Sequence, residues 1–128
     1  MHSNPLDAYQ NVEKNSLEGR ALEAFVLTKA ANFLQSVQNG WDAQDRKEQL
    51  DEALRYNLRI WSLLQAEMTN AENPLPAEIK QNLLNLSLFV DRRTFQILMS
   101  PDREQLSILI GINRNICAGL RSDAAQTA

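Results

Sequence analysis

Acidic side chains crowd one short stretch of this chain, where Asp42, Asp45, Glu48, Asp51 and Glu52 fall within a few helical turns. Paired carboxylates can serve as general acid and base when an apolar surround lifts one pKa towards neutrality. No such surround accompanies these five. They precede and open a helical pattern, where negative charge favours the positive end of the helix dipole and stays in water. A single cysteine, Cys117, cannot form an internal disulfide, and a single histidine, His2, cannot build a zinc site with it. The sequence also lacks a glycine-rich phosphate cradle, a serine-centred elbow and histidines at metal spacing. No enzyme, metal or cofactor is therefore expected.

The residues that suggest binding lie between Leu83 and Thr94. On a helical wheel Leu83, Leu86, Val90 and Ile97 make one apolar stripe, while Leu84, Leu88, Phe95 and Met99 make another. A helix apolar on two sides needs two partners. It either sits inside a bundle with both stripes in the core, the ordinary reading of each position taken singly, or lends one face to another protein. Arg92 and Arg93 could form a small anion patch, but adjacent arginines more often pair with nearby carboxylates such as Asp91 or with a neighbouring helix. Two arginines are too few for an RNA surface built on many phosphate contacts.

Breakers set the elements that must position these residues. Pro5 can open a short leading helix carrying Leu6, Tyr9 and Val12. Ser16 can cap a helix running to about Gln38, with Leu22, Val26, Ala30, Phe33 and Val37 inward and Gly40 beyond its end. The next helix follows Asp45, aligns Leu50, Leu54, Asn57, Trp61, Leu64 and Met68, and stops before Asn73-Pro74-Leu75-Pro76. Pro76 opens the third long helix. Ser100 and Pro101 start the last, which turns Leu106, Leu109, Ile110, Ile116 and Leu120 inward and ends at Gly119. Short connections favour antiparallel neighbours, so the expected fold is all-α: an antiparallel four-helix bundle with a short additional N-terminal helix. Trp61 reads as core before interface anchor, Cys117 as a small buried hydrophobe, and Asn57 and Asn113 as a polar lock that fixes helix register before a contact to a partner's backbone.

The 128 residues suit one domain with its own core, spanning 1–128 with loose ends at about 1–4 and 121–128. A formal charge of −3 gives no global footprint for nucleic acid, so neither DNA nor RNA contact is expected. No secretory signal or membrane-spanning run is visible, and the expected compartment is the cytoplasm.

Several stretches also carry a likeness. Ala8-Tyr9-Gln10, the run from Leu50 to Asn57 with Trp61, Leu75-Pro76, the run from Leu88 to Thr94, Ile112 to Ile116 and Ala118-Gly119-Leu120 together resemble the FlaF family of flagellar biosynthesis regulators. The resemblance covers about Ala8 to Leu120. It implies a role in flagellum assembly, with flagellin as partner and a second regulator, FlbT, alongside. Under it the chain is a cytoplasmic export chaperone that hides flagellin's amphipathic segments in an apolar groove. Leu84, Leu88 and Phe95 are the candidate groove wall, and Arg92 and Arg93 its polar rim. The alternative is a post-transcriptional regulator of flagellin expression acting with FlbT through protein contacts or on flagellin messenger RNA. Without a partner bound, a homodimer could cover the second stripe.

Overall fold

Asn39-Gly40, the Pro74 and Pro76 pair, and Ser100-Pro101 interrupt an otherwise helical pattern, and the helices end where these breakers stand. A computed structural model describes the backbone of residues 5–127 and the side chains of residues 19–121. Its helices are α1 (Pro5–Asn39), α2 (Arg46–Thr69), α3 (Ala77–Met99) and α4 (Gln105–Thr127), with no strand among the described residues. Each helix packs on the next and α4 closes the ring on α1. This is an up-down-up-down four-helix bundle. The α1–α4 seam is the most extensive and the α3–α4 seam the least.

Three sequence expectations need correction. The separate leading helix is absent, because α1 runs unbroken from Pro5 and Ser16 lies within it rather than capping it. No proline interrupts that run, and the one glycine inside it, Gly19, costs only about 1 kcal/mol relative to alanine. The side chains of Leu6, Tyr9 and Val12 lie outside the described residues, as do Met1 to Asn4. At the other end, Ser100 terminates α3, its N–H bonding the Gln96 carbonyl at 2.9 Å, instead of starting α4. Asp102 takes the starting role: its carboxylate accepts the Glu104 N–H at 3.0 Å and its carbonyl accepts the Gln105 N–H at 3.2 Å. Finally, α4 passes through Gly119, which has no positive φ, and continues to Thr127.

The inward face of α1 is also rotated from the expected one. Ala24, Leu27, Ala31 and Leu34 are buried together with Ala30 and Val37, whereas Leu22 is 63% exposed. In α2 the expected stripe holds, with Leu50, Leu54, Asn57, Trp61 and Met68 buried and Leu64 packed at the edge. In α4, Leu106, Leu109, Ile110 and Cys117 are buried, while Ile116 and Leu120 are half-buried against them. Burying each such leucine or isoleucine contributes roughly 1.5–3 kcal/mol.

Polar groups cross the centre of this core. The Trp61 indole N–H donates to Asn113 Oδ1 at 2.9 Å, and Asn113 Nδ2 donates to Asn57 Oδ1 at 2.6 Å. All three residues are buried. They join α2 to α4 across the bundle diagonal, the lock that the two asparagines suggested. Asn113→Ala should strip partners from both Trp61 and Asn57, at a cost of about 1–3 kcal/mol for each buried group left unpaired. Urea unfolding measures it, and a midpoint unchanged from the parent would show that the lock carries no stability.

Candidate functional site

Helix α3 carries its apolar residues on two sides, and the bundle covers only one. Val90 and Ile97 are buried, and Leu83 and Leu86 are half-buried beside them. On the outer side Leu88 is 54%, Phe95 55% and Met99 87% exposed, with Leu84 half-buried at the edge of the stripe. Ser87 and Thr94, buried on the inner face, satisfy their own hydroxyls by donating to the Leu84 and Val90 carbonyls at 2.7 Å. That geometry rules out core for Leu88 and Phe95. Large apolar side chains exposed along one side of a helix are a usual mark of a surface awaiting a partner.

The two arginines behave differently. Arg92 is exposed beside Leu88 and Phe95 in the helical register, where it can serve as a rim. Arg93 is half-buried, donates from Nη1 to Gln105 of α4, and lies over the Phe89 ring at 5.1 Å from its centroid. Its guanidinium is thus occupied in holding α3 to the start of α4. On the opposite flank Gln65 Nε2 donates to Asp91 at 3.0 Å, tying α3 to α2. Of the five predicted binding residues, the structure gathers Leu84, Leu88, Arg92 and Phe95 on one side of α3 and turns Arg93 towards α4.

A second feature lies at the far end of the bundle from the α3–α4 turn. There a cavity of about 300 Å³ lies under the α2–α3 loop, lined from α1, α2, α3 and α4. Trp61, Leu64, Met68, Leu83, Ile116 and Leu120 give it apolar walls, and Arg20, Glu23 and Glu67 bring charge to it. Burial, followed by the hydrogen bond and charge of Glu67, pushes the Glu23 carboxyl up to about 8, while Arg20 pulls it the other way. The sequence did hold a sign of this: Glu23 stands four residues before the buried Leu27 on the inward face of α1. With that face assigned to Leu22 and Val26, Glu23 fell outside it. The run from Asp42 to Glu52 is mostly exposed, and Asp51 pairs with Arg55 at 2.8 Å.

Among the described residues no group of three or more His, Cys, Asp and Glu side chains is placed to hold a metal ion, and no helix is long and apolar enough to cross a membrane. Fold and surface together define a small helical-bundle protein that leaves Leu88, Phe95 and Met99 of α3 uncovered among the described residues. The family model described as flagellar protein FlaF matches residues 5–120, and the chain belongs to that family. No curated protein and no solved structure matches it.

Two outcomes follow. Changing Leu88 and Phe95 together to serine should leave the melting temperature nearly unmoved, because exposed substitutions usually stay within about ±0.5 kcal/mol each; a large drop would place them in the core. For Glu23 the folded pKa lies above the ordinary 4.5, so the folded protein holds a proton that the unfolded chain has released between that value and about 8. Stability contributed by the protonated form is present in acid and is lost as pH rises through that window. Glu23→Gln should therefore flatten the decline in melting temperature between pH 4.5 and about 8, and an identical pH profile for both proteins would refute the assignment.

Proposed function

We propose that this flagellar protein binds flagellin in the cytoplasm as an export chaperone, covering an amphipathic segment of flagellin with the outer face of α3. The observation that carries the reading is the row of Leu88, Phe95 and Met99, exposed on a helix whose other side buries Val90, Thr94 and Ile97 in the bundle. An amphipathic helix laid along this row would exchange water for apolar contact on both partners, and Arg92 at the edge would meet a polar group of the visitor. Membership of the FlaF family supports a flagellar setting for that exchange. Apolar burial responds little to ionic strength, whereas contacts made by charge weaken steeply as salt is added.

Titration calorimetry with purified monomeric flagellin should give a complex whose affinity changes little with salt and survives nuclease treatment. The Leu88→Ser, Phe95→Ser double variant should lose it while remaining folded. Absence of any complex between the purified proteins would turn the interpretation towards regulation of flagellin expression with FlbT. Self-association abolished by the same double variant would instead identify a second copy of this chain as the occupant.

A further inference from the structure

The cavity between the ends of α2 and α4 faces away from the outer stripe of α3. Leu83 and Ser87, which line it, lie on the inner side of that helix, opposite Leu88 and Phe95. Its volume of about 300 Å³ stands at the small end of the range for ligand sites, roughly 300–1,000 Å³. It suits one large side chain better than a cofactor. Among the described residues, the walls contributed by α3, α4 and the α2–α3 loop carry no titratable group, and the ionisable side chains, Arg20, Glu23 and Glu67, come from α1 and α2. Two carboxyls against one guanidinium leave this region acidic once ionised. Glu67 is exposed and Glu23 half-buried, so the carboxyls run from the surface inward beside an apolar chamber floored by Trp61.

We propose that this cavity is a second docking site, taking one apolar side chain of a partner helix while a lysine or arginine one turn away on that helix pairs with Glu23 and Glu67. Residues four apart on a helix share a face, so an apolar knob and a cation at that spacing reach the chamber and the carboxyls together. The arriving cation favours the ionised form of the Glu23 carboxyl, whose proton leaves to solvent. Binding is consequently linked to proton release, strengthening as pH rises towards about 8 and levelling off above it. The site does not depend on the flagellin reading, since it uses none of the outer α3 residues.

The test follows the Trp61 indole N–H signal by NMR in a Trp41→Phe background, where it is the sole indole. The probes are n-hexylguanidinium, n-hexanoate, and two alanine-based helical peptides that carry leucine followed four residues later by arginine or by glutamine. Hexylguanidinium and the arginine peptide should shift the signal saturably, the peptide binding more tightly, with the shift strengthening at higher pH. Glu23→Gln with Glu67→Gln should weaken the arginine peptide about tenfold. Equal binding of hexanoate, equal binding of the glutamine peptide, or indifference to the double variant would overturn the proposal. So would tighter binding of the free guanidinium than of the arginine peptide, which would assign the cavity to a small cation.

Discussion

The hydrogen bonds joining Trp61, Asn113 and Asn57 are the constraint on which this bundle turns. Leucines can slide past one another with modest loss, but an amide moved one turn along a dry core meets hydrocarbon and loses its partner. Because α2 and α4 face each other across the diagonal, fixing their register also fixes the helices between them. The same tie anchors the indole of Trp61, and with it the floor beneath Glu23 and Glu67. One donor, Asn57 Nδ2, has no partner among the described residues, so specificity here carries a local cost in stability.

Helix α3 owes its double character to how little the rest of the molecule asks of it. Its buried hydroxyls bond within their own helix, and its polar links outward are Asp91 with Gln65 on one flank and Arg93 with Gln105 on the other. Two lateral ties and the buried Val90, Thr94 and Ile97 hold it in place without using Leu88, Phe95 or Met99. The outer row can therefore be given to another molecule without loosening the bundle, which is what a binding face requires.

Much of this was legible in the sequence, for physical reasons that vary by helix. In α2 a single apolar stripe leaves one choice of inward face, and Trp61 and Asn57 lie where the pattern puts them. The outer row of α3 was legible as a second stripe, although only the arrangement of neighbours could show that nothing covers it. Helix α1 misled because apolar residues occur around much of its circumference; the true face uses alanines, Ala24, Ala30 and Ala31, whose small side chains weigh little on a wheel but permit close helix approach. The spacing from Glu23 to Leu27 hints at the inward place of that carboxyl, but its meeting with Glu67 comes only through tertiary packing. The boundaries at Ser100 and Gly119 failed because both residue types are compatible with more than one backbone role.

The unequal seams give the molecule a direction in which to open. With α1 lying closely along α4 and α2 along α3, the bundle resembles two leaves hinged where α1 meets α2, their free edges at the sparse boundary between α3 and α4. The buried amides of Asn57 and Asn113 act as a clasp between the leaves. Backbone amides in the first turns of α3 should accordingly exchange with deuterium through small, frequent openings, while those in the middle of α1 wait for the whole fold to come apart. Breathing along that free edge would widen the chamber beside Trp61 first, so the gentlest fluctuation of this protein is also the one that admits a visitor.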